Sequence, residues 1–132
     1  MILVYDIKTS MQACTKLASI FSVVYVTVPS KEVGKSIARE IVQSKLAACV
    51  NIVPTVTSIY EWESKLQEDE EALLIIKTKT DHLERLKDAI IEKHPYDVPE
   101  FISMPIESGS GAYLKWIHDQ IAPSAATKDD SN

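Results

Sequence analysis

One segment, residues 46–79, restricts the folds open to this chain more than any other. Its first half, Leu46 to Trp62, is rich in the β-branched and aromatic residues that are common in strands. Its second half contains an uninterrupted apolar run from Ala72 to Ile76, which is typical of a strand buried on both faces. Because only a charged turn separates the two runs, the segment predicts a long β-hairpin.

The length of this hairpin has a structural consequence. A strand of about 15 residues would reach roughly 50 Å, whereas a compact domain of about 100 residues has a radius of gyration of about 13 Å. The hairpin must therefore bend, extend beyond the domain, or both. Pro54 cannot donate a hydrogen bond to a neighbouring strand, which favours a bend or bulge there. A projecting hairpin exposes unpaired edges, and a second copy of the chain is the simplest cover.

The other strands follow from apolar runs and prolines. Residues 22–28 are apolar on both faces and predict a central strand, whereas the prolines at 99 and 105 restrict a strand over 98–106 to a sheet edge. From Leu46 to Trp62 the alternation places the side chain of Cys49 opposite to that of Val50.

Three helices are predicted from capping residues and helical periodicity. Ser30 caps a helix over residues 31–45, and Ser110 caps a last helix over 112–121. Between them, Thr80 or Asp81 is expected to cap a helix, with Glu84 completing a capping box. This helix must end near residue 94, because proline follows.

The order β-α-β-β-α-β plus a C-terminal helix predicts an α+β fold, the ferredoxin-like split β-α-β arrangement. Right-handed crossovers place the first two helices on one face of an antiparallel sheet, with strands 1 and 3 central and strands 2 and 4 at the edges. The second face of this sheet is also apolar, and it therefore needs cover from a partner.

Composition and charge exclude several classes of protein. The chain of 132 residues is long enough for one domain with its own core, and its net charge of −5, without a basic stripe, argues against a nucleic-acid partner. No apolar run approaches the about 20 residues of a membrane span. Two cysteines are too few for a disulfide framework, so a reducing compartment is expected. We expect an extension over residues 1–20, one domain over 21–121 and a disordered tail over 122–132.

Enzyme motifs are absent from the sequence. There is no GxxxxGK[ST], GxGxxG, GxSxG or HExxH, and no nucleophile and base at a recognisable spacing. We therefore predict a protein that is not an enzyme and has no obligatory cofactor. The segment from Gly109 to Gly111 could bind an anion at a helix N-terminus, although a flexible cap is the simpler interpretation.

The densest polar cluster is the stretch from His94 to Glu100, which two prolines stiffen and which also presents Tyr96. Neutral imidazole is the commonest metal ligand, yet a histidine also suits the end of a helix for reasons of charge. Cys49 likewise allows two interpretations, a small buried hydrophobe or a soft ligand for copper.

Other polar and aromatic groups also allow more than one interpretation. Tyr60 and Trp62 could stack on a ligand or anchor a subunit interface. The acidic run 68–71 could attract cations, or it could keep a strand edge from aggregating. His82 and His118 are predicted to lie on solvated helix surfaces.

Four motifs, in order across about residues 22–121, resemble the CutA divalent-cation tolerance family. They are LAACVNI at 46–52, TSIYEW at 57–62, HPYDVPE at 94–100 and YLKWI at 113–117. Each is weak alone, but the set is specific. The resemblance implies a ferredoxin-like fold, a homotrimer built by pairing of long hairpins, and a cytoplasmic location. The turn at Glu63-Ser64 departs from the family, which usually has glycine there.

The resemblance also implies binding of a divalent metal ion, copper above all, with His94 and Cys49 as candidate ligands. Because animal members are linked to the anchoring of acetylcholinesterase, an interaction scaffold with a protein partner is one alternative. A small-ligand sensor is another, because the family resembles nitrogen-regulatory signalling trimers. Its candidate pocket residues are Tyr60, Trp62, Lys77, Tyr96 and Glu100, with inter-subunit clefts that could seat an anion near Lys77, His94 and Tyr96.

Overall fold

A computed structural model describes residues 20–123. Their order is β1 (Phe21–Val28), α1 (Lys31–Gln43), β2 (Cys49–Trp62), β3 (Lys65–Lys79), α2 (Leu83–Lys93), β4 (Ile102–Pro105) and α3 (Gly111–Gln120), with a 3-10 turn at Thr80–His82 before α2. This is the predicted order of elements. Of the predicted extension over residues 1–20, residues 1–19, with Cys14, lie outside the described residues, and so does the part of the predicted tail over 122–132 that begins at residue 124.

The strands form one antiparallel sheet in the order β2-β3-β1-β4. The prediction that β1 and β3 are central and β2 and β4 are edges is therefore confirmed. β4 is shorter than predicted, because pairing with β1 begins only at Ile102. Pro99, which cannot donate to a ladder, lies in the segment that stays unpaired.

The main core lies between the sheet and the first two helices. Alternate residues of the central strands face α1 and α2 and are fully buried, among them Val24, Val26, Leu74 and Ile76. The opposite face, called here the open face, carries a smaller cluster in which Phe21 and Ala48 pack against α3. Towards β4 this face exposes Ile102 by 51% and Met104 by 40%. A second apolar face that the chain covers only in part is what the sequence predicts.

The hairpin projects beyond the sheet. β1 ends where Val28 pairs with Ala72, but β2 and β3 continue as a two-stranded ribbon over residues 56–71, called here the arm. A register shift between Val53 and Val56 confirms the predicted bulge at Pro54. β3 begins at Lys65, well before the apolar run, because backbone pairing with β2 also orders the charged residues.

The first turn of α2 differs from the prediction. Asp81 does not take part in a capping box, because its Oδ1 lies 2.6 Å from Nδ1 of His82 while Glu84 binds Lys87. The expectation that His82 is solvated is wrong, since its side chain is fully buried. His82 precedes the buried Leu86 by four residues and therefore lies on the same face of the helix. His118 on α3 is exposed, as predicted.

Helix composition within residues 20–123 leaves no candidate for a membrane span, because none of the helices there has both the length and the apolar character required.

Candidate functional site

His94 is held at the end of α2 through both of its ring nitrogens. As the C-cap residue it leaves helical geometry, with a ψ of 135°, before the proline that ends the helix. Its Nε2 lies 2.7 Å from the carbonyl oxygen of Thr27, and the backbone N–H of Tyr96 donates to Nδ1 at 3.1 Å. A carbonyl can only accept and an N–H can only donate, so the imidazole is neutral with its proton on Nε2.

Tyr96 connects this histidine to the arm. Its ring lies 4.7 Å from that of His94, between centroids, and its hydroxyl donates to Oε2 of Glu71 at 2.8 Å. Burial, reinforced by the hydrogen bond to Glu71, raises the pKa of the Tyr96 phenol well above its ordinary value. The phenol is therefore a hydrogen-bond donor throughout the neutral range. Glu71 itself is only 8% exposed.

A second tyrosine and carboxylate pair lies farther out along the arm. The hydroxyl of Tyr60 donates to Oδ2 of Asp69, and this hydrogen bond raises the pKa of Tyr60. Asp69 and Glu71 are two residues apart on β3 and therefore share a face, so the two pairs lie near each other.

Cys49 lies in a different part of the sheet. It pairs directly with Lys77 and therefore shares the open face with it, whereas Val50 packs into the main core. The predicted orientation of Cys49 is thus confirmed. Cys49 is a free, half-buried thiol near Tyr113 of α3. Burial raises the pKa of the Tyr113 phenol, and Cys49 raises it to a smaller extent. The ammonium of Lys77 donates to the side-chain oxygen of Asn51.

The strand register separates these two groups of residues. Thr27, which accepts from His94, pairs with Leu73 of β3, whereas Cys49 pairs with Lys77, four residues farther along. At about 3.3 Å per residue, this is about 13 Å along the strand. In a single chain the two candidate metal ligands therefore do not share one ion. Across residues 20–123, no group of three or more His, Cys, Asp or Glu side chains is arranged to hold a metal.

The candidate pocket residues are likewise distributed over the molecule. Lys77 follows Glu71, the partner of Tyr96, by six residues, or about 20 Å of strand. Trp62 lies at the far end of the arm and is 56% exposed, and Glu100 is exposed in the loop before β4. Tyr60 and Tyr96 are the two candidates that the fold brings together.

The two interpretations of the acidic run from the sequence, attraction of cations or protection of a strand edge, both missed the roles of Asp69 and Glu71 as acceptors for tyrosine hydroxyls. One signal was present, because residues two apart in a strand share a face. The alternation could have placed both carboxylates on one side of β3. It could not have shown that a loop 25 residues later would reach Glu71.

Comparison with known proteins gives a consistent result. The family model described as CutA1 divalent ion tolerance protein matches residues 22–120. A chloroplastic CutA of Arabidopsis thaliana is 59% identical over 95 residues, covering 72% of this chain and 52% of the relative. The divalent-cation tolerance protein CutA of Thermus thermophilus is 48% identical over 97 residues, covering 74% of this chain and 94% of the relative. The chain thus spans about half the length of the plant protein and nearly all of the bacterial one.

A solved structure agrees with these matches. The crystal structure of CutA1 from Oryza sativa superposes with a TM-score of 0.79 at 49% identity, covering 82% of this chain and 99% of that chain. The match extends over the sheet, the arm and all three helices, since the family model spans residues 22–120. On this evidence the chain belongs to the CutA1 divalent ion tolerance protein family.

Proposed function

We propose that this protein is a non-enzymatic homotrimer that binds divalent metal ions, copper in particular, and acts in cation tolerance. Membership of the family supports the role in cation tolerance. The chemistry of the donors supports copper, because thiolate and imidazole are ligands that copper prefers. Copper here is the cargo of the protein and not a resident cofactor.

The observation that carries the proposal is that the two candidate metal ligands, Cys49 and His94, lie at opposite ends of the sheet. Cys49 is a half-buried free thiol on the open face, and His94 lies at the other end of the strands. Each can supply one ligand, and residues 20–123 hold no group of three or more such donors. We therefore propose that donors from more than one copy of the chain complete the coordination sphere. Assembly and metal binding are therefore parts of one proposal.

His94 can bind a metal ion only at the expense of an existing contact. Binding through Nδ1 displaces the N–H of Tyr96, and binding through Nε2 displaces the carbonyl of Thr27. Cys49 is in no disulfide, so its thiol can bind a metal ion without a covalent bond being broken first. We further propose a reducing compartment, the cytoplasm, because a thiol ligand must stay reduced.

The test is a copper titration against a competing chelator, for Cu(I) and Cu(II) separately. We expect His94→Ala to lower copper affinity about tenfold, or 1.4 kcal/mol, and Cys49→Ser to shift the preference away from Cu(I). His118→Ala, which removes an exposed imidazole on α3, is the matched control and should bind as the parent does. If the variant lacking both His94 and Cys49 binds copper as tightly as the parent, the proposal is wrong.

An interaction scaffold is a second candidate, favoured by one observation. Tyr113 and Trp116 of α3 stack with centroids 5.5 Å apart, yet remain 43% and 41% exposed. Exposed aromatic pairs often anchor protein partners. Capture of a partner by the metal-free protein, abolished in Trp116→Ala, would favour the scaffold over metal binding.

A further inference from the structure

We propose that Tyr96 and Glu71 form a latch that positions His94 and couples it to the root of the arm. The latch consists of two hydrogen bonds made by Tyr96, from its N–H to Nδ1 of His94 and from its hydroxyl to Glu71. The inference rests on the proposed function where it concerns metal, because it states what controls the access of a ligand to His94.

The latch crosses a boundary between two parts of the fold. His94 is anchored to Thr27, the next-to-last residue of β1, while Glu71 is the first residue of β3 beyond the end of β1. The loop after α2 therefore closes over the end of β1 and contacts the strand at the point where the two-stranded arm leaves the sheet. A displacement of Tyr96 is transmitted to that point.

The burial of Glu71 makes the latch strong. This carboxylate is 8% exposed, although it belongs to a run of charged residues whose other members are exposed. A buried carboxylate that loses its hydrogen-bond donor keeps the cost of desolvation without the compensating bond.

The two hydrogen bonds of Tyr96 oppose the use of His94 as a ligand. The lone pair of Nδ1, the ring nitrogen that carries no proton, already accepts from the N–H of Tyr96. Freeing that lone pair moves Tyr96 and so strains or breaks its bond to Glu71. By thermodynamic reciprocity, weakening the bond to Glu71 raises the affinity at His94. Tyr96 is therefore a positioning residue that acts through His94.

The variant Tyr96→Phe tests this coupling, because it removes the hydroxyl but keeps the ring and the N–H. The lost hydrogen bond is made to a charged group and opposes the release of Nδ1, so we expect copper affinity to rise by roughly tenfold. The same substitution in a His94→Ala background should leave copper affinity unchanged. A role in folding alone would not produce that dependence on His94. Tyr25→Phe, at a half-buried tyrosine of β1, is the control. It should leave copper affinity unchanged, both in the parent protein and in the His94→Ala variant.

A second measurement tests the latch without metal. Hydrogen exchange of the metal-free protein should become faster in residues 94–100 and in residues 66–71 of the Tyr96→Phe variant, and stay unchanged in α1. Glu71→Gln as a single variant keeps an acceptor for the hydroxyl of Tyr96 and should show near-parent exchange in both segments. Unchanged exchange in Tyr96→Phe would overturn the latch.

The outcomes separate the latch from the proposed function. If His94→Ala binds copper as the parent does, the proposed ligand role is wrong and the coupling to metal is overturned with it, while hydrogen exchange still decides whether the latch exists. If His94→Ala weakens binding but Tyr96→Phe has no effect on affinity, the metal role stands and the coupling is wrong.

Discussion

At the scale of single residues, the backbone of Lys45 matters more than its side chain. Lys45 follows α1 with a φ of 64°, in the left-handed region that favours glycine. This conformation lets the N–H of Leu46 reach the carbonyl of Ile41 at 2.9 Å and the N–H of Lys45 reach that of Val42 at 3.1 Å. These bonds are those of a Schellman motif. The predicted helix therefore ends at Gln43, two residues earlier than its periodicity suggested.

We expect Lys45→Gly to raise the free energy of unfolding by about 1 kcal/mol, because glycine adopts this backbone conformation without the steric cost that a Cβ imposes. Arg39→Gly, at an exposed position inside α1, is the matched control and should lower it by a similar amount. Urea unfolding at equal chain concentrations measures both. A loss of stability in Lys45→Gly would contradict the role given to its backbone.

At the scale of elements, the arm is the part of the fold least able to stand alone. A two-stranded ribbon is marginally stable in water, and this one exposes Ile59 by 61%, Trp62 by 56% and Leu66 by 72%. Its turn places Glu63 and Ser64 at φ values of 51° and 64°, a conformation that hairpin turns usually give to Asn and Gly. Such an element needs cover from another surface.

We expect Trp62→Ala to weaken association between chains by about 2 kcal/mol or more, as truncation of an aromatic interface anchor commonly does. Sedimentation velocity over a dilution series measures the change. Trp116→Ala removes an equally large side chain from α3 and should have a smaller effect. Equal effects of the two substitutions, or an unchanged assembly in Trp62→Ala, would contradict the role of the arm in association between chains.

At the scale of the whole molecule, two features favour association with further copies of the chain. The open face has its own small core only where α3 covers it, and it exposes Ile102 and Met104 elsewhere. The arm extends beyond the four-stranded sheet with one edge of β2 unpaired within residues 20–123. A second and third copy of the chain could cover both surfaces at once.

We expect the protein to sediment at equilibrium as a species of three times the 14.7 kDa chain mass at low micromolar concentration. The physical reason is the apolar area of the arm and the open face, whose burial offsets the entropy lost on association. A soluble monomer or a dimer under these conditions would contradict the trimer.

The order and type of the elements could be predicted from local patterns in the sequence. Apolar alternation, prolines and capping residues act within a few positions of one another, so the hairpin, the bulge at Pro54, the caps at Ser30 and Ser110 and the end of α2 could be predicted. The order of strands followed as well, because the handedness of crossover connections leaves few topologies. The sequence also marked Tyr60 and Tyr96 as site candidates.

Which of these side chains contact one another depends on the three-dimensional fold. The burial of His82, the bond from Tyr96 to Glu71 and the contact of His94 with Thr27 join parts of the chain that local patterns do not relate. The separation of Cys49 from His94 likewise depends on the register of three strands. Register is set by the packing of a whole face against the helices, because a shift of one residue would turn every core side chain outward.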